Sequence, residues 1–208
     1  MNVHTISQEY QNAFPQIISF KEFCKSKQYA PKYKQVVLEN EATSTVLRLF
    51  TESFIPKLEK LGYVKLGTGA CRVGMLSPDG DTVLKLPLHL DGVMDNYRER
   101  KLYLDTLGKC DNFAECHLEG LFLVMKRCVK LHNVANRTFT AEQLAPNQEW
   151  LDIVDSEQCG VTADSDKLVA YDYGDLTLTV AADGNEYIHK VYNTWGEVKV
   201  NGYRHMKL

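Results

Sequence analysis

The chain has 208 residues, 44% of them hydrophobic, with 24 lysines and arginines against 27 aspartates and glutamates, a net charge of -3. This suits one domain, or one domain with an appendage, and excludes a general nucleic-acid footprint. No run approaches the roughly 18 to 20 apolar residues of a membrane span, and Met1 to Tyr10 is too polar for a secretory signal. The cysteines Cys24, Cys71, Cys110, Cys116, Cys128 and Cys159 form no CxxC pair, and Cys110, Cys116 and His117 lack the spacing of a zinc site. They read as reduced thiols of a cytoplasmic protein.

Residues 2–33 read as a helical preface. Ser19-Phe20-Lys21-Glu22 fits a capping box for a short helix through Phe23 and Cys24, and Pro31 ends it or lies in the loop beyond it. A longer helix is expected from about Glu41 to Leu61, with Val46, Leu47, Phe50, Phe54, Leu58 and Leu61 on one stripe. Pro56 should kink or split it, and Gly62 should end it. Three short apolar runs follow: Tyr63 to Leu66, Val73 to Leu76 and Val83 to Leu86. Gly67 and Gly69 separate the first two, and Pro78-Asp79-Gly80-Asp81 turns the second into the third as a hairpin. Glycines let backbone approach a bound group, and a lysine inside an apolar strand must find an anion or leave the core. Gly67, Gly69 and Lys85 together therefore suggest a phosphate-binding arrangement.

A helix from about Gly92 to Leu107 comes next, with Asn96 and Glu99 on one face. Leu121 to Met125 reads as a buried strand. A helix is expected to open near Thr138 or Thr140 and to be divided by Pro146. Lys167 to Tyr171 reads as a strand ending on Asp172-Tyr173-Gly174-Asp175. The remainder is β-rich: Leu176 to Val180, a turn at Asp183-Gly184-Asn185, a partner strand from Tyr187 to Tyr192, and a hairpin turn at Asn201-Gly202.

In this order the pieces resemble a protein kinase-like fold, and among kinase-like proteins they are similar to small ones encoded by bacteriophages. The family runs glycine-rich loop, strand lysine, helix glutamate, hinge strand, catalytic loop and a strand ending in Asp-Phe-Gly. The resemblance implies an α+β fold with three parts. These are an N-terminal helical extension (1–61), a small lobe of antiparallel sheet and one helix (62–128), and a reduced large lobe with a β-rich tail (129–208). It implies ATP and magnesium as cofactors. Gly67, Thr68, Gly69 and Ala70 would cover the phosphates, Lys85 would meet them and pair with Glu99, and the strand ending at Met125 would offer backbone groups to adenine. Asp172 and Gln158 would hold the metal. Taken singly, Lys85 also reads as a snorkelling edge residue, Glu99 as a solvated charge and Asp-Tyr-Gly-Asp as a turn.

The chain departs from the family at named positions. Arg72 replaces the third glycine, Gln158 replaces an asparagine, and Ile153 stands where the base aspartate belongs, with Asp152 and Asp155 beside it. Thirty-four residues follow Gly174, fewer than a long activation segment and its helices need. The resemblance then implies a pseudokinase that binds a partner protein, a host factor if the origin is viral. The alternative is a small active phosphotransferase with Asp152 or Asp155 as base.

Overall fold

The computed structural model describes residues 3–13, 33–130, 154, 158–162, 167–194 and 197–207. Among them the fold is α+β, with antiparallel ladders and three helices. The chain divides into two units, Met1–Tyr97 with Cys116–Met125, and Arg98–Glu115 with Lys126–Leu208.

The first unit contains helices α1 (Val3–Ala13) and α2 (Tyr33–Lys60), strands β1 (Val64–Thr68), β2 (Arg72–Leu76) and β3 (Thr82–Pro87), and the start of helix α3 (Leu90–Thr106). Strands β4 (Cys116–Glu119) and β5 (Phe122–Lys126) complete a sheet of order β1-β2-β3-β5-β4. Alternation along β2 and β3 decides what each face holds. Val73 and Met75 pair with Leu86 and Leu84, and these four join Leu47, Phe54 and Leu58 of α2 in the core. Fully burying side chains of this kind contributes about 1.5–3 kcal/mol each. Thr51 of α2 donates its buried hydroxyl to the Pro87 carbonyl at 2.7 Å. Ser7 of α1 donates to the Glu119 carbonyl at 2.7 Å, giving the edge strand β4 a partner.

The local signals explain the joints. Gly62 has φ 89°, and the Gly62 and Tyr63 N–H groups close α2 onto the Glu59 and Leu58 carbonyls at 3.0 and 3.1 Å. This is a Schellman ending, which needs the left-handed glycine. In the β2–β3 turn the Asp79 carboxylate accepts from the Ser77 hydroxyl and, at 3.0 Å, from the Asp81 N–H. These donors hold the Asp79 carboxyl below its ordinary value, the Ser77 hydroxyl contributing most. The stabilisation this carries is present above the unfolded value, about pH 3.9, and is lost as pH falls through the lowered one. In Ser77→Ala, an NMR titration should find the Asp79 midpoint moved upward toward that ordinary value; an unmoved midpoint would exclude the hydroxyl as its cause.

In the second unit, β6 (Cys128–Lys130), β7 (Cys159–Thr162) and β8 (Leu168–Ala170) form one three-stranded sheet in chain order. Strands β9 (Leu176–Val180), β10 (Glu186–Thr194) and β11 (Glu197–Lys207) form another, with β10 central. Gly160 allows β7 to approach its neighbours: a Cβ there would stand 2.6 Å from the Val129 carbonyl oxygen and 3.2 Å from the Tyr171 ring. No helix among the described residues is long and apolar enough to cross a membrane.

Several expectations are corrected. Helix α2 starts at Tyr33 rather than Glu41, and Pro56 does not split it. Pro56, Glu52 and Ser53 are all exposed, so the carbonyl that proline leaves without an intrahelical partner faces water. Val46 is 54% exposed, lying at the margin of the stripe that buries Leu47. Asn201-Gly202 makes no hairpin turn, because β11 continues through it. Val200 pairs with Val191 and His205 with His189, so the glycine falls in a bulge of the ladder. Pairing with the nine-residue β10 makes a longer ladder than two short arms around Asn-Gly. The expected helices near Ser19 and Thr140 lie outside the described residues.

Candidate functional site

The first unit holds the glycine-rich turn, Lys85 and Met125. Register places Gly67 opposite Gly74, and Gly74 opposite Lys85. Directly paired residues point to one face, so Lys85 shares its face with two glycines in succession. A Cβ at Gly67 would meet nothing within 4 Å, and one at Gly74 would make only ordinary contacts, with Val83 at 3.8 Å and Leu66 at 4.0 Å. The lysine therefore stands at the end of a lane of bare backbone two strand spacings wide, about 10 Å. Lys85 is 8% exposed, which excludes the snorkelling reading. Met125 is buried in β5.

The turn itself is docked on the start of α3. The Gly69 N–H donates to the Arg72 carbonyl at 2.9 Å, the Leu88 N–H to the Cys71 carbonyl at 2.8 Å, and His89 Nε2 lies 3.0 Å from the Ala70 carbonyl oxygen. Thr68, Gly69 and Ala70 are exposed. Their neighbour Arg72 donates to Asn96 Oδ1 at 3.3 Å. Asn96 Nδ2 in turn donates to the carbonyls of Lys85, at 3.2 Å, and Leu121, at 2.8 Å. From the sequence, Asn96 is the first residue of an Asn-x-x-Glu pattern that shares the helix face of Glu99, with no partner assigned to its amide. The available signal was an asparagine in mid-helix, where its amide competes with the backbone unless tertiary partners take it up.

The second unit holds Glu99, Gln158 and Asp172. Glu99 is 0% exposed, so it is no solvated charge, and its Oε1 accepts the Tyr173 N–H at 3.2 Å. On the other side of Asp172, the Tyr171 N–H donates to the Gln158 carbonyl at 2.9 Å. The aspartate is thus held between two anchored residues, and Gln158 is brought beside its turn. The tyrosine of Asp-Tyr-Gly is fully buried. Its hydroxyl donates to the Ala114 carbonyl at 2.9 Å, and its ring lies 4.8 Å from that of Phe113. The Ala114 N–H donates to Ala170 and the Ala170 N–H to Asn112, both at 2.8 Å, tying this segment to the end of β8. Asp152 and Asp155 lie outside the described residues.

Magnesium, implied by the resemblance, can be tested against these side chains. Among the described residues no group of three His, Cys, Asp or Glu could hold a metal ion. Gln158 Oε1, however, is buried and makes no hydrogen bond. An amide oxygen and a carboxylate are ligand types that a hard cation takes alongside water and phosphate, so the chemistry of Gln158 and Asp172 is compatible with magnesium.

No protein-family model matches the chain, and no curated protein or solved structure matches it.

Proposed function

We propose that the chain is a kinase-like protein that binds a magnesium nucleotide and serves as a pseudokinase, engaging a partner protein. The observation that carries this reading is the bond from the Tyr173 N–H to Glu99, between residues 74 apart in the chain. Helix glutamate and Asp-Phe-Gly strand are separate pieces of the family's machinery, and here they are one buried contact. The order β1-β2-β3-helix-β4-β5, with Lys85 in the third strand, supports the same reading.

Each residue then has a role. Lys85 supplies the positive charge for the phosphates, at the end of the glycine lane where backbone does not obstruct them. Ala70 and Cys71 cover them with backbone N–H groups, since that of Gly69 is already used within the turn. Glu99 holds the turn that presents Asp172, and Asp172 and Gln158 offer oxygens to the metal. Bound magnesium neutralises charge on the phosphate oxygens. Ile153, at the position of the base, cannot accept a proton, and this favours the pseudokinase over the active enzyme. General-base help is worth about a hundred- to ten-thousand-fold.

Thermal unfolding with and without Mg-ATP tests the proposal. At about a hundred times the dissociation constant, a ligand stabilises by about 2.7 kcal/mol, here a rise of roughly 5 to 10 °C. The rise is expected in the wild type and should vanish in Lys85→Ala. No rise in the wild type would remove the nucleotide from the reading. Phosphoryl transfer that disappears in Asp172→Asn would replace the pseudokinase with the phosphotransferase.

A further inference from the structure

We infer that Asn96 is a positioning residue whose side-chain amide sets where Lys85 and the glycine-rich turn stand against α3. Asn96 is 0% exposed and spends its whole amide on tertiary partners. Both Nδ2 donors go to main-chain carbonyls, one of Lys85 itself and one of Leu121 at the entry to β5. Its Oδ1 takes the Arg72 guanidinium from the end of the glycine-rich turn. One side chain thus joins α3 to β2, to β3 and to the start of β5.

Asparagine is a poor residue for the middle of a helix, so the local preference does not account for it. Its amide gives a donor to two main-chain carbonyls in a buried place, where losing a bond is costly. The bond to the Lys85 carbonyl acts on the backbone of the residue whose ammonium the nucleotide reading uses. The turn is tied also to the segment that leads into this helix, through Leu88 and His89. A shift of α3 therefore carries the lysine strand and the turn with it.

The role in placing Lys85 stands independently of the nucleotide; its consequence for binding rests on the function proposed above. Both are read in one set of variants, each held well below its melting temperature. Amines are acylated with an N-hydroxysuccinimide ester, and labelling of Lys85 is measured by mass spectrometry against the exposed Lys101 and Lys109. Asn96→Ala should raise Lys85 labelling about tenfold over these references, as local opening of β3 becomes easier. Val169→Ala, a buried change in β8 of the second unit that leaves the clamp intact, should not. If Asn96→Ala does not fold, Arg72→Met, which removes only the guanidinium, should raise labelling about threefold. In the same proteins Mg-ATP should bind about tenfold more weakly to Asn96→Ala. Labelling that stays at the wild-type level, or rises as much in Val169→Ala, would overturn the positioning role. Raised labelling in a protein whose wild type binds no Mg-ATP would leave the clamp standing and remove the nucleotide reading.

Discussion

Replacing Gly92 by alanine is expected to lower the melting temperature by up to roughly 8 °C, although alanine is the better helix former. On propensity alone the change gains about 1 kcal/mol. The new Cβ would lie 2.2 Å from the Cys71 carbonyl oxygen, 3.1 Å from its carbon and 3.2 Å from Arg72 Cγ. The first contact is with backbone, which cannot turn aside as the end of a side chain can. The Cys71 carbonyl also accepts the Leu88 N–H at 2.8 Å, so moving it breaks the docking of the turn. Overpacking of this kind costs about 1–3 kcal/mol, occasionally more, and here it exceeds the helical gain. Gly67→Ala is the matched control: nothing lies within 4 Å of its Cβ, and the melting temperature should barely change. A higher melting temperature for Gly92→Ala would mean that the turn does not rest on α3. The same variant should weaken any Mg-ATP stabilisation, since the clash displaces the turn proposed to cover the phosphates.

Tyr173→Ala is expected to be more damaging, by about 3–5 kcal/mol or roughly 6 to 20 °C. It removes a fully buried ring in contact with Phe113 and leaves a void under the Asp172 turn. Tyr173→Phe keeps the ring and deletes the hydroxyl that donates to Ala114. It should cost about 1–2 kcal/mol, because a buried carbonyl then loses a donor. Urea unfolding of the three proteins separates the two contributions. A phenylalanine variant as stable as wild type would show that the Ala114 carbonyl is satisfied without the tyrosine, and that a plain Asp-Phe-Gly would serve this fold equally well.

Where the chemistry is local, the sequence by itself determined the structure. Pro78-Asp79-Gly80-Asp81 makes its turn because Asp79 bonds within four residues and Gly80 takes φ 80°. Gly62 ends α2 by the same logic, and Leu47, Phe54 and Leu58 bury the face that their spacing assigns them. Lys85 was legible as a lysine within a strand, and so was the helix that carries Glu99. What those two groups do depends on residues far away in the chain, which no local pattern encodes. Nothing near Glu99 in sequence says that its carboxylate accepts the Tyr173 N–H, and nothing near Asn96 says that its amide reaches Lys85, Leu121 and Arg72. Nor does local pattern reveal that Gly67, Gly74 and Lys85 fall in one row, which is a property of register across three strands. At Asn201-Gly202 the strongest local turn signal gave way to a nine-residue partner strand. Local bonds within a few residues form at little entropic cost and can be read from the chain. Contacts across the sheet and between distant segments require loop closure first, and only the assembled fold decides which of them are made.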